Sequence, residues 1–215
     1  MKRLLAAAAL VLAATACGTP SGSGPTAPAT TAVAPTAAAP SPSTTSPPPL
    51  HQVHDPGQVT GTLTGPCHTT GGGQLPDPHC TPGAYDPAVT AAVLCAPGYS
   101  TRAYRAPASE TTAFKHQQAY PAYSIPAGTL SELDHLVSLE LGGANDATNL
   151  WPEVGPIPNP KDAVENQLHA WVCQATGAVA EQRLHDAQIA IAADWLTALA
   201  TLHAGAGAAL SSSGG

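Results

Sequence analysis

The chain has 215 residues, with 14 acidic against 7 basic side chains and a formal net charge of −7. Proteins that coat nucleic acid without sequence preference rely on a basic surface, so this composition counts against a passive coat and does not exclude an enzyme with a few phosphate contacts. About 140 residues, 60–203, lie between the terminal segments described below, which is the usual size of a single compact domain.

The amino terminus has the order of residues that is typical of a secretory signal. Lys2 and Arg3 precede an apolar run at 4–14, and small residues lead to Cys17. This order indicates a signal peptide at residues 1–16, and the apolar run is too short for the roughly 20 residues of a transmembrane helix. The sequence therefore predicts export, with cleavage after residue 16 and no transmembrane helix.

Residues 14–17, Ala-Thr-Ala-Cys, resemble the lipobox of bacterial lipoproteins, except that the family prefers Leu, Val or Ile where this chain has Ala14. The resemblance implies a lipid on Cys17 and a place on the outer face of the cytoplasmic membrane, and simple secretion is the alternative. Residues 17–59 begin as an uncharged stretch of Pro, Thr, Ser and Ala, which is too polar to bury a core. We expect a disordered tether here and a flexible tail at 204–215.

Four more cysteines follow the signal: Cys67, Cys80, Cys95 and Cys173. An even count in an exported domain favours two disulfides. Of the three possible connectivities we prefer the one that joins the first two cysteines and the last two. The alternative is a zinc site built from the mirrored pairs Cys67-His68 and His79-Cys80, although neighbouring side chains diverge too much to favour tetrahedral ligation.

The first part of the domain gives few secondary-structure signals. The segment Asp86 to Cys95 fits either a short helix or a strand, because its periodicity does not separate the two. Residues 96–128 are rich in Pro, Gly, Ser and Tyr, and we expect irregular structure with one helix near 111–119.

A hairpin-like unit is expected next. Leu133 to Leu141 alternates well enough to be a strand, and Gly142-Gly143 then breaks it. A second extended segment at 148–151 completes the unit, and Pro152 is expected to end it.

Two helices close the predicted order of elements. Asn159-Pro160 reads as a cap followed by proline at the first helical position, so a helix is expected over 160–173. A further helix is expected over about 178–202. Strands followed by helices indicate an α+β fold with additional helices and irregular loops.

Side chains with useful chemistry concentrate between Asp134 and His169. The segments ELDHLVSLELGGANDATNLWPE and KDAVENQLHAWVC resemble the HNH endonuclease superfamily, especially its exported bacterial members. The upstream segments PDPHCTPGAYDPAVT and CAPGYSTRAYR extend the resemblance to roughly 76–195. It implies a small ββα-metal core, in which two antiparallel strands and a helix hold one divalent ion.

The resemblance also implies roles for single residues. His135 matches the general base, Asn149 the residue that orients it, and Asp134 and His169 the metal ligands. Helical spacing places both Asn166 and Glu165 on the face of His169; we favour Asn166 as a ligand and Glu165 as its support. Because consecutive strand residues point to opposite faces, Asp134 and His135 share a site only if the strand bends or ends there.

These residue types suit the hydrolysis of a phosphodiester. A neutral imidazole activates water near neutral pH, and a divalent cation, here Mg, Mn or Zn, offsets the charge on the phosphate oxygens. Arg102, Arg105 and Lys115, with His116, are the main concentration of positive groups and the expected phosphate contacts. The predicted function is a metal-dependent endonuclease acting on DNA rather than RNA. The alternative is a non-catalytic, surface-tethered binding or structural lipoprotein with the same fold.

Overall fold

The computed structural model describes residues 50–202. The predicted signal peptide, Cys17, most of the predicted tether and the predicted tail lie outside the described residues. None of the helices in the described range is long and apolar enough to cross a membrane.

The described elements mix helices with short strands, so the predicted α+β class is confirmed. The strands are β1 (His51–Gln52), β2 (Ala84–Tyr85), β3 (Ser131–His135) and β4 (Leu150–Val154). The helices are α1 (Ala91–Leu94), α2 (Ala108–Phe114), α3 (Tyr120–Ala122), α4 (Lys161–Cys173) and α5 (Gly177–Asp194). Single 3₁₀ turns lie at Gly71–Gly73, Thr101–Ala103 and Leu139–Leu141.

β3 and β4 form an antiparallel pair in which His135 lies opposite Leu150 and Leu133 lies opposite Pro152. The expectation that Pro152 ends the second strand is wrong, since the strand runs to Val154. A two-stranded sheet leaves the outer edge of each strand unpaired, and a proline facing that edge sacrifices no ladder hydrogen bond.

β3 ends at His135, whereas the alternation in the sequence predicted a strand as far as Leu141. The carbonyl of Asn149 accepts a hydrogen bond from Leu136 N, and its side-chain Oδ1 accepts one from Val137 N, at 2.8 Å each. The first bond continues the β3–β4 pairing by one residue, but Asn149 N donates to Asp146 O at 2.8 Å and Val137 N donates to a side chain, so the pairing goes no further. The chain therefore turns and forms the 3₁₀ turn Leu139–Leu141 instead.

The Gly142-Gly143 pair is required by this turn. Gly142 ends the 3₁₀ turn with φ +75°, a left-handed conformation that glycine adopts without steric cost. A Cβ on Gly143 would lie 1.7 Å from the carbonyl oxygen of Val137. The chain can fold back this closely only where a side chain is missing.

Residues 50–59, expected to belong to the disordered tether, are part of the fold. His51 N donates to Gly83 O at 3.0 Å and Val53 N donates to Tyr85 O at 2.9 Å, which pairs β1 with β2 in parallel. The described folded structure thus begins before the boundary predicted at Thr60, because backbone pairing with a distant segment outweighs the weak local pattern.

The helices follow their sequence signals with shifted ends. Asn159 Oδ1 accepts hydrogen bonds from Lys161 N and Asp162 N at 2.8 and 3.2 Å, so it caps α4 as expected. α5 ends at Asp194, earlier than expected, and residues 198–202 are helical again after a turn. The segment expected near 111–119 is helical, with a π-helical turn at Lys115–Ala119 between α2 and α3. The ambiguous segment before Cys95 contains the short helix α1.

Two disulfides hold the domain, and both preferred pairings are confirmed: Cys67 with Cys80 and Cys95 with Cys173. The alternative zinc site is excluded because its cysteines are oxidised. Disulfides of this kind indicate an oxidising compartment. The second disulfide joins the end of α1 to the end of α4, beside an apolar core that packs α1, α4 and α5 together. A second core cluster lies between the β3–β4 hairpin and the helical segment 108–122.

Candidate catalytic pocket

A small pocket, with about 40 Å³ of space for water-sized groups, lies where β3 ends, between that strand, the Leu139–Leu141 turn and the first turns of α4. We call it the His135 pocket. His135, Ser138 and Arg105 line it, and so do five carboxyl side chains: Glu132, Asp134, Glu140, Asp162 and Glu165. Because the strand ends at His135, the side chains of Asp134 and His135 both reach this pocket although they are neighbours in the chain.

The imidazole of His135 is held by an asparagine, but by Asn145 rather than by the expected Asn149. His135 Nε2 lies 3.0 Å from Asn145 Oδ1. The amide nitrogen of Asn145 donates to Asp55 Oδ2 and to Tyr104 O, both at 2.7 Å. Since two oxygen acceptors fix the nitrogen of this amide, the atom facing His135 is an oxygen and can only accept.

This contact sets the tautomer of His135. A hydrogen bond to an acceptor requires a proton on Nε2, so in the neutral ring the lone pair is on Nδ1. No described residue forms a hydrogen bond with Nδ1. This nitrogen is nevertheless not one of the buried side-chain atoms that lack a partner, so it keeps some solvent-accessible surface. Burial lowers the pKa of His135 below its usual value, although Asn145 and the charge of Asp134 act in the opposite direction. A neutral base with an open nitrogen therefore lines the pocket.

Beside His135, the carboxylate of Asp134 is engaged by Lys161, the first residue of α4. Lys161 Nζ lies 2.9 Å from Asp134 Oδ2 and donates to the backbone oxygen of His135 at 2.7 Å. It also forms an ion pair with Glu165, one helical turn further along α4. Trp151 Nε1 donates to the same Asp134 oxygen at 3.3 Å.

Lys161 is fully buried, with no exposed surface, and it is charged. Burial alone would lower the pKa of Lys161, but the charges of Asp134 and Glu165 raise it above its usual value. Burial raises the pKa of Glu165 to about 7, although Lys161 opposes the shift. One buried cation thus supports a site with a surplus of acidic groups.

That surplus is visible across the hairpin, where Glu132 lies opposite Glu153. Like charges in directly opposed strand positions repel each other. Burial, followed by the charge of Asp134, raises the pKa of both groups, that of Glu153 to about 8. Buried oxygens of Glu153, Glu140 and Ser138 have no hydrogen-bond partner among the described residues.

Asn149 is fully buried and all its polar atoms are used by the backbone. Its Oδ1 accepts from Ala84 N as well as from Val137 N, and its Nδ2 donates to the carbonyls of Val137 and Ala144 at 3.0 Å each. Asn149 therefore shapes the loop that follows β3, and its side chain forms no hydrogen bond with His135.

His169 and Asn166, the expected metal ligands on α4, are not brought to Asp134. His169 Nδ1 lies 2.8 Å from Glu140 O, and its ring stacks on Tyr99 with centroids 6.0 Å apart. Its Nε2 is 3.7 Å from Cys173 Sγ. Asn166 is exposed and donates to the backbone of its own helix. The ligand set predicted from the sequence is therefore not assembled.

Two further observations count against a metal ion between the side chains of the His135 pocket. No group of three or more His, Cys, Asp or Glu side chains within residues 50–202 is placed to hold one. The Asp134 oxygen that faces α4 already accepts from Lys161 and Trp151. Of the residues expected to bind metal, Asp134 lines the pocket; Glu165, expected as a supporting residue, lines it too.

Of the expected phosphate contacts, Arg105 lines the pocket and is exposed. Arg102 is also exposed but does not line it. Lys115 donates to Ser131 O at 2.5 Å and lies over the ring of Tyr120, so it supports the start of β3. His116 packs edge-on against Tyr120.

Three residues that hold His135 and Asp134 in place were missed from the sequence: Asp55, Asn145 and Lys161. Four residues of the pocket lining were missed as well: Glu132, Ser138, Glu140 and Asp162. Asp55 lies where charged residues return after the uncharged tether, which was the one available signal. Asn145 follows the Gly-Gly pair and is four residues from Asn149, so spacing did not distinguish the two amides. Lys161 was recognised only as part of the helix start.

No family model, curated protein or solved structure matches this chain. The resemblance to the HNH superfamily therefore stays an interpretation of the sequence motif.

Proposed function

We propose that this protein is an exported nuclease that hydrolyses phosphodiester bonds of nucleic acid, DNA rather than RNA. The observation that carries the proposal is the His135–Asn145 pair, which leaves Nδ1 of a neutral imidazole open at the wall of a pocket. Neutral histidine is the commonest general base in enzymes. The substrate class comes from the resemblance of the surrounding motif to HNH endonucleases.

In the proposed step, His135 Nδ1 takes a proton from a water molecule as the water oxygen bonds to phosphorus. The bond from phosphorus to the leaving oxygen breaks, and that oxygen takes a proton from solvent. We assign the contact with the nonbridging oxygens to Arg105, which lines the pocket, because a guanidinium binds phosphate through paired N–H groups. Asn145 and Asp55 keep the imidazole in the reactive tautomer.

A divalent ion belongs to the chemistry that the resemblance implies. Because Asp134, Asn166 and His169 do not converge, no step of the proposed reaction runs through one. The predicted signal peptide and Cys17 support action outside the cytoplasm, with the chain held to the outer face of the membrane by a lipid or else secreted.

The test is an incubation of purified protein with supercoiled plasmid, linear DNA and RNA, in chelator and with Mg²⁺, Mn²⁺ or Zn²⁺ added. Cutting by the wild type that His135→Ala reduces by about 10²- to 10⁴-fold supports the proposal. His185→Ala, an exposed histidine on α5, is the matched control and should cut as the wild type does. No cutting of any substrate under any of these conditions refutes it.

A second function is favoured by one observation, the charge of the pocket lining. Five carboxyl groups against the single side chain Arg105 repel a polyanion and attract a cationic group. A non-catalytic lipoprotein that binds a cationic partner with this pocket is therefore the alternative. It predicts that the wild type and His135→Ala are equally unable to cut nucleic acid.

A further inference from the structure

We propose that the ammonium group of Lys161 is the resident cation of the His135 pocket. It occupies the space between Asp134 and Glu165, and while it is there these two carboxylates hold no divalent metal ion.

The hydrogen bonds of Lys161 carry this inference. An ammonium group has three N–H donors, and three acceptors surround this one: His135 O, an oxygen of Asp134 and an oxygen of Glu165. The side chain has no exposed surface. All its donors are used inside the protein, so the group is built into the site and is not available to a ligand from solvent.

The place of Lys161 in the fold fixes the ammonium group. Asn159 caps α4 through Lys161 N, which sets the backbone of the first helical residue. Lys161 and Glu165 are four residues apart on one face of α4, the spacing at which helical ion pairs form. From there the side chain crosses to the end of β3, where Asp134 and His135 lie.

A divalent ion shared by Asp134 and Glu165 would have to lie beside the ammonium group that already contacts both. Two positive charges a few ångströms apart in a poorly solvated site repel strongly. Removing the ammonium group would instead leave two buried carboxylates without a counter-charge, which is the condition under which proteins recruit a cation.

Titration of the full-length protein with Mn²⁺, followed by calorimetry and by the electron paramagnetic resonance of free Mn²⁺, tests this. The wild type and Asp134→Asn should bind Mn²⁺ equally weakly. Lys161→Ala should bind one Mn²⁺ at least about tenfold more tightly than the wild type, because freed carboxylates supply ligands. The double variant Lys161→Ala/Asp134→Asn should lose that gain. Lys115→Ala, which removes a lysine bonded to a backbone carbonyl, should leave Mn²⁺ binding unchanged.

Either of two results overturns the proposal: tight binding of Mn²⁺ by the wild type that Asp134→Asn weakens, or no gain of binding in folded Lys161→Ala. Circular dichroism shows whether Lys161→Ala is folded. If it is not folded, Mn²⁺ binding is compared among wild type, Asp134→Asn and Glu165→Gln. Equally weak binding by all three supports the proposal, and tighter binding by the wild type contradicts it. Because the readout is metal binding, the result stands whether or not the protein cleaves nucleic acid.

Discussion

The two ends of α4 present side chains at the same spacing but in different roles, one lining a charged pocket and the other supporting the fold. Lys161, Glu165, His169 and Cys173 follow one another at intervals of four residues and so form one stripe along the helix. At the amino-terminal end, Lys161 and Glu165 meet Asp134 in the charged His135 pocket. At the carboxyl-terminal end, His169 and Cys173 hold a backbone turn and a disulfide.

The difference shows that the surroundings of a side chain decide its role more than its chemistry does. His169 is a good metal ligand by type, yet it faces Tyr99 and a backbone carbonyl and packs like a structural residue. Lys161 is usually a surface residue by type, yet it is buried among acceptors and organises the site. We expect changes at the first end to alter the site and changes at the second to alter mainly the stability of the fold.

The largest expected effect is that of Lys161→Ala at the amino-terminal end. It leaves the buried carboxylates of Asp134 and Glu165 without their partner, which should cost about 3–5 kcal/mol of the free energy of unfolding. Denaturant unfolding measures this loss. Lys115→Ala, the matched control, removes one hydrogen bond to a backbone carbonyl and should cost about 1 kcal/mol. Equal losses of unfolding free energy in the two variants would show that the ion pairs of Lys161 add nothing to stability beyond an ordinary hydrogen bond.

At the other end of α4, replacing Cys95 and Cys173 together by Ala should lower the free energy of unfolding by about 2–4 kcal/mol. The cross-link spans 78 residues, against 13 for the pair Cys67–Cys80, so its removal should cost more than that of the shorter one. Denaturant unfolding of both double variants gives the comparison. Cutting of nucleic acid per folded molecule should stay at the wild-type level; a loss as large as that of His135→Ala would contradict the division between the two ends.

A smaller effect is expected for His169→Ala, which removes the hydrogen bond to Glu140 O and the stacking on Tyr99. These contacts together should be worth about 1–2 kcal/mol of stability. Cutting should fall by less than about tenfold, against about 10²- to 10⁴-fold for His135→Ala. Plasmid cleavage rates for the two variants, measured under conditions in which both are folded, provide the test. A loss for His169→Ala as great as for His135→Ala would restore His169 to the catalytic machinery.

The smallest expected effect concerns pH and Glu153, which lies on β4 opposite Glu132. Its pKa is raised by burial to about 8 in the folded protein, from 4.5 ordinarily, so between these values the folded form binds more protons than the unfolded form. Its contribution to stability therefore falls as pH rises through that window. Glu153→Gln removes this loss, so its free energy of unfolding relative to wild type should rise by roughly 1 kcal/mol for each pH unit within this window. Thermal unfolding across this range measures it, and parallel curves for the two proteins would disprove it.

Local signals in the sequence predicted much of the fold. The Asn159 cap and the apolar spacing after it placed α4, and the even cysteine count led to both disulfides. The end of β3 was not predictable, because alternation continues to Leu141 while the bonds that stop the strand come from Asn149, beyond the turn. The inclusion of residues 50–59 rests on pairing with β2, for which a polar segment carries no local signal.

The candidate site was predicted in part. Asp134 and His135 were found because their segment resembles that of HNH endonucleases. Asn145 was not distinguished from Asn149, since only the three-dimensional path of the turn decides which amide reaches the imidazole. Lys161 was overlooked because a lysine at a helix start is normally solvated, and its burial depends on the strand that packs across it.

Cleavage of supercoiled plasmid by the purified protein in the presence of chelator tests the central claim most directly. With His135 as the base and Lys161 as the resident cation, the wild type should cut the plasmid in chelator and His135→Ala should not. Cutting that appears only when a divalent metal is added would contradict the role given to Lys161. The absence of cutting in chelator and with every metal would contradict the proposed function itself.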